Sequence, residues 1–189
     1  MKILLLAFCL NIIMVSAAVA QTADSTRRAS QNLWWVDAGL GVHKGLSTDD
    51  LVSLSGNLNY LYNNWLYKLR YGFYDEFNIM GSQTTDFNEI GFMIGKARIK
   101  KLTRLSASAG AGIVFGKKNE RKIEYKNGSV INISSEMHTF FSPAFLIEGE
   151  AAFTPIKQIG IGLFINGNFN ANVSNLGFGL RLSAGRMRE

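Results

Sequence analysis

The chain is short of the residues that staple, kink or metallate a fold. It has 1 cysteine and 2 prolines in 189 residues, and 2 histidines. The cysteine, Cys9, lies inside the opening run MKILLLAFCLNIIMVSAAVA. That run has Lys2, an apolar stretch and Ala-Val-Ala before Gln21, the layout of a secretory signal peptide cleaved after Ala20. The remaining 169 residues (21 to 189) then hold no cysteine, so an exported chain must be stable without disulfides. The histidines, His43 and His138, stand far apart, and no set with metal-ligand spacing is expected. Asp49-Asp50 is far from a full oxygen cage for a hard cation. After the first 20 residues nothing approaches the roughly 20 apolar residues of a spanning helix. Net charge is +6, a balance that suits anionic surfaces. An exported chain rarely meets nucleic acid, so no nucleic-acid partner is expected. The many Gly-x-Gly pieces sit inside alternating runs, not between a strand and a helix, so no phosphate loop and no cofactor is expected.

Period-2 alternation is abundant instead. QIGIGLFINGNFN sets Ile159, Ile161, Leu163, Ile165 and Phe169 against Gly160, Gly162, Asn166 and Asn168. Eight such runs follow one another from Leu33 onward: LWWVDAGLGVH, VSLSGNLNYLY, WLYKLRYGF, NEIGFMIG (the shortest), LSASAGAGIVF, FSPAFLIEGEAAF, QIGIGLFINGNFN and LGFGLRLSA. Glycine at every other place in several of them excludes helix. A soluble sheet would carry Lys, Glu or Thr on its wet face; here that face is glycine, serine and asparagine. Short links at Asn63-Asn64, Lys100-Lys101 and TPIKQ alternate with connectors at 44–51, 74–87 and 116–140 and a shorter one at 171–175. Short turns on one side and longer loops on the other predict a closed eight-stranded antiparallel up-and-down transmembrane β-barrel over 33–188, preceded by a flexible periplasmic tail at 21–32.

In such a barrel the oily face looks out at lipid and the other face fills a narrow lumen. The charges with lumen parity are Asp37, Lys68, Arg70, Glu89, Glu148, Glu150 and Arg181. Four acids and three bases predict a buried salt-bridge and hydrogen-bond network. Aromatic residues mark the run ends. Trp34, Tyr62, Trp65 and Phe153 stand at the short-turn ends, and Phe73, Phe115, Phe141 and Phe169 at the loop ends. These are the expected girdles at the two interfaces.

The pieces LGFGLRL, GIGLF and AGAGIVF, with the leader and the turn asymmetry, resemble strands of small outer-membrane β-barrel proteins of the OmpX-like and OmpA transmembrane-domain type. The resemblance covers about 33–186 and is one of pattern. It implies a bacterial outer-membrane, surface-exposed protein, often structural or adhesive, and in a minority of cases a lipid-acting enzyme. One departure is the ending GRMRE, where many such barrels end on an aromatic residue.

The third long loop is the main interaction candidate. Asn127-Gly128, flanked by KIEYK and SVINI, is a type I′ hairpin signal, so a hairpin protruding over 117–139 is predicted. Lys117, Lys118, Arg121, Lys122 and Lys126 make its first arm basic, suited to lipopolysaccharide phosphates or an acidic protein partner. The basic set Lys96, Arg98, Lys100, Lys101 and Arg104 is expected in a periplasmic turn against headgroups. For catalysis, the candidate set is Glu136, His138 and Ser142. Four residues of extended chain span about 13 Å, beyond proton-transfer reach, so no enzyme is expected. The expected function is a monomeric outer-membrane barrel with a structural or surface-interaction role and a filled lumen. The alternatives are a lipid-modifying outer-membrane enzyme, a secreted lipocalin-like barrel with its faces inverted around an apolar ligand, and a channel, which a filled interior disfavours.

Overall fold

The computed structural model describes residues 32–46, 50–76, 85–126 and 129–187, with side chains for these except 119–135. The expected leader at 1–20 and nearly all of the tail lie outside the described residues, as does Asn127-Gly128. Eight strands run β1 (Asn32–Gly45), β2 (Asp50–Tyr62), β3 (Trp65–Glu76), β4 (Asp86–Lys100), β5 (Thr103–Lys126), β6 (Ser129–Phe153), β7 (Ile159–Phe169) and β8 (Asn175–Arg186). Each pairs antiparallel with the next, and β8 returns to β1, closing the barrel.

The turns follow from local chemistry. Asn63 and Asn64, with φ of 49° and 65°, join Tyr62 to its partner Trp65. Asparagine tolerates this left-handed region, which a two-residue hairpin of right twist requires. Lys101 and Leu102 link Lys100 to its partner Thr103. Following paired residues round the wall from Trp34 through Tyr60, Tyr67, Ile94, Ala109, Ile147, Gly167 and Leu176 leads back to β1 at Lys44. The stagger is thus 10 residues, from position 34 to 44. With eight strands this tilts them about 40° and sets a backbone radius of about 8 Å.

Strict in-and-out alternation holds along most strands. β1 alternates exposed and buried for its whole length. Leu40, Leu163, Phe178 and Leu182 are each more than 60% exposed, whereas Glu148 and Asp37 are about 5% exposed. The lipocalin-like alternative therefore fails, because its greasy residues would have to line the cavity.

One expectation about strand extent needs correction and another is met. The fourth run is not short: β4 has 15 residues and carries Lys96, Arg98 and Lys100 within the strand. The greasy alternation fades after Ile94, but backbone pairing with β5 continues to Lys100. The protruding hairpin expected over 117–139 is present, so 116–140 is paired strand. β5 and β6 stay paired from Thr103↔Phe153 out to Lys126↔Ser129, with one irregularity between Glu124 and Tyr125.

The filling also differs from a purely small and polar one. Leu33, Trp35, Leu61, Leu66, Ala97 and Met187 form a buried apolar cluster at the short-turn end. Leu51, Tyr74, Phe87, Met93, Val114, Leu146 and Val173 form another towards the loop end, with Phe140 against it. Tyr74 and Phe87 stack there, with centroids 4.6 Å apart. The β7–β8 link supplies Val173 to that plug. Asn170 shapes the link, its Oδ1 accepting from the backbone N–H groups of Asn172 and Val173 at 2.8 and 2.9 Å. Charge thus occupies the middle of the lumen and hydrocarbon its ends.

Candidate functional site

The seven charges with lumen parity all lie inside the barrel and meet in one network. Glu148 of β6 is its hub. Arg181 of β8 donates to both its oxygens, at 2.6 and 2.8 Å. Lys68 of β3 pairs with the same carboxylate, and Arg70 reaches it at 3.0 Å. Arg70 turns its Nε to Glu89 of β4 at 2.9 Å and its Nη2 to the Tyr74 hydroxyl at 2.7 Å. Arg181 also bonds Glu150 at 2.9 Å. These pairs form because strand alternation aims residues 68 and 70, and 148 and 150, into the same narrow space.

One member escaped the sequence reading. Arg104 is fully buried, not at a headgroup surface. It pairs with Glu150, donates to Ser183 Oγ at 3.0 Å and lies 3.7 Å from Asp37. Its guanidinium sits 4.2 Å above the ring of Trp35. The signal was available: Leu105 points out, so Arg104 must point in. Its place in a basic run beside a turn masked that parity. With Arg104 the buried charges among the described residues number four bases (Lys68, Arg70, Arg104, Arg181) and four acids (Asp37, Glu89, Glu148, Glu150). The lumen is formally neutral, which is what a low-dielectric interior demands. β2 and β7 supply asparagine instead. Asn59 donates to Asp37 at 2.7 Å, and Asn168 to Glu89 at 2.5 Å.

Glycine makes room for the larger members. A Cβ on Gly39, Gly41 or Gly179 would come within about 3.1 Å of the Phe164 ring. Phe164 fills that hollow and lies 4.3 Å under Arg181. His43, near the loop end of β1, is buried. Its Nε2 lies 2.7 Å from Ser53 Oγ, its Nδ1 3.1 Å from Asn175 Oδ1, and its ring meets Tyr74 edge-on. Gly177 opposite leaves space for the imidazole.

On the outside, Trp34, Tyr62, Trp65 and Phe153 are exposed at the short-turn end, as are Phe73, Phe115 and Phe141 towards the loops. Phe169 is only half-buried rather than fully exposed; its ring lies over Gly167, beside Leu176 and Ile147. Asp50 pairs with Lys44 at 2.7 Å; Asp49 lies outside the described residues. Lys117 is exposed and Lys118 half-buried, while the side chains of Arg121, Lys122 and Lys126 lie outside the described residues. His138 lies 3.4 Å from Glu136. Ser142 is buried, and its hydroxyl donates to the Pro143 carbonyl at 3.2 Å.

The hairpin stands clear of the wall. Asp86↔Lys117 is the last β4–β5 pair, and Phe145↔Phe169 the last β6–β7 pair. From Lys118 to Lys126, nine residues and about 30 Å of strand, β6 is the one strand that pairs with β5 among the described residues.

No protein-family model matches the sequence, and no curated protein matches it. Solved structures do match. Ail, the attachment invasion locus protein of Yersinia pestis, aligns with a TM-score of 0.55 at 13% identity over 84% of this chain and 99% of that one. Neisserial surface protein A aligns with a TM-score of 0.56 at 10% identity over 83% and 99%. Ail in complex with the heparin analogue sucrose octasulfate aligns with a TM-score of 0.52 at 14% identity over 84% and 99%. The likeness is one of fold: this chain is built as small eight-stranded outer-membrane barrels are.

Proposed function

We propose that the protein is a monomeric bacterial outer-membrane barrel whose wall is a sealed anchor and whose β5–β6 hairpin makes contacts beyond the membrane. The observation that carries this is the pairing of a continuous apolar coat with a filled lumen. More than 30 large hydrophobic side chains are exposed, a surface that water would drive to aggregate and acyl chains solvate. Closure leaves no sheet edge in lipid and none for a second copy to pair with inside that belt. Among the described residues, apolar clusters towards both ends and an ion-paired middle fill the lumen, an interior that disfavours a channel.

What projects is the hairpin. Its Lys117, Lys118, Arg121, Lys122 and Lys126 suit phosphate groups of lipopolysaccharide, a sulfated or acidic polysaccharide, or an acidic protein. Ail, of the same fold, has been captured with a polysulfated sugar. A non-enzymatic role fits the geometry about His138, because Ser142 bonds its neighbour's carbonyl and lies four extended residues away, about 13 Å. Deletion of 119–134 tests the assignment. The shortened chain is expected to remain in the outer-membrane fraction as a heat-modifiable barrel and to lose binding of cells to anionic polysaccharide. Unchanged binding with the barrel intact would overturn the role given to the hairpin.

A further inference from the structure

The two ends of the barrel carry opposite exterior charge. Among the described residues, the acids outside the lumen are Asp50, Asp75, Glu76, Asp86 and those of the hairpin, all towards the loops. Among the described residues none lies on the outer face of the short-turn end. That end instead presents exposed Lys96, Arg98, Lys100, Lys101, Lys157 and Arg186. Three of these follow one another on a single face of β4. Residues 96, 98 and 100 are two apart, so their side chains leave the wall in the same direction about 7 Å from one another. The lumenal acids cannot neutralise them, because Asp37 and Glu150 point inward to Arg104, Lys68 and Arg181. Trp65, paired with Lys96 in the β3–β4 register, holds the Lys96 ammonium 3.3 Å over its ring. That contact fixes one cation at the depth where an indole sits, the headgroup boundary.

We propose that the outer face of β4 at the short-turn end, Lys96, Arg98 and Lys100 beside Trp65, is a binding site for the headgroups of anionic glycerophospholipids. The inference rests on the membrane reading above, with short turns on the periplasmic side, where the leaflet is phospholipid. Cations at the depth of headgroup phosphates are favoured near an anionic surface, an attraction that adds from one cation to the next and falls away with salt. Three on one strand face therefore select net-negative over zwitterionic lipid, while the tryptophan supplies the apolar floor.

The test uses the whole chain refolded into vesicles of phosphatidylcholine mixed with phosphatidylglycerol, then extracted with mild detergent and weighed by native mass spectrometry. Retained phosphatidylglycerol is expected to exceed phosphatidylcholine at least about tenfold, and to fall with added salt. The triple variant Lys96→Gln, Arg98→Gln, Lys100→Gln should lose most of that preference, while Lys44→Gln at the other end should keep it. Equal retention of the two lipids, or an unchanged triple variant, would overturn the site. Heat-modifiability on gels, read in pure phosphatidylcholine, separates this from failure of the barrel reading. A chain that inserts without lipid preference refutes only the site; a chain that never inserts refutes the barrel reading.

Discussion

Arg181 grips Glu148 with both terminal nitrogens, at 2.6 and 2.8 Å, across the centre of the barrel. The pair ties β8, the closing strand, to β6, and its outer side rests on Phe164 of β7 between them. The same contact therefore braces three neighbouring strands, β6 to β8, and neutralises charge in the lumen.

Glu148→Ala should accordingly be among the most damaging single changes in the chain. It strands Lys68, Arg70 and Arg181 without their shared carboxylate. Breaking a buried pair from one side costs about 3–5 kcal/mol. Equilibrium urea unfolding of the barrel in vesicles measures it, and a loss under about 1 kcal/mol would refute the hub.

Arg104→Ala should behave like a core substitution, with a loss of about 3 kcal/mol or more. Lys117→Ala, on the exposed face, should stay within about 0.5 kcal/mol. Similar small effects at both positions would return Arg104 to the surface.

Gly177→Ala should destabilise the fold by about 1–3 kcal/mol, because the new methyl group collides with the His43 imidazole. In a His43→Ala background most of that penalty should vanish. A double-mutant cycle reads the difference directly, and additivity of the two changes would dissociate the residues.

Leu180→Arg probes the coat. Leu180 is exposed midway along β8, opposite Leu40 and Leu163. At the middle of a bilayer such a change costs about 2–4 kcal/mol, whereas on a watery surface it would be neutral or helpful. Unfolding from vesicles distinguishes the two.

His138→Ala should leave the lipid A of the host cell unchanged in mass. A shifted lipid A species on mass spectrometry would assign the hairpin base a chemical role.

The strands were legible because a β-strand's side-chain period is two and a membrane reverses the usual polarity. Leu163 outside and Glu148 inside follow from that alone. The hairpin of β5 and β6 was legible from its turn, because Asn127-Gly128 between KIEYK and SVINI carries a two-residue hairpin signal. Phe169 kept its parity but not its exposure, since neighbouring β8 and β6 side chains lean over it.

Alternation along the chain was enough to decide which side chains face hydrocarbon and which face the lumen, since each peptide unit reverses direction from the last. Which inward charges meet was decided by the 10-residue stagger and by closure of β8 on β1. Register between neighbouring strands sets Arg104 diagonally beside Glu150 on the β5–β6 pair and lets Arg181 reach Glu148 past β7, and no pattern within one strand records that register.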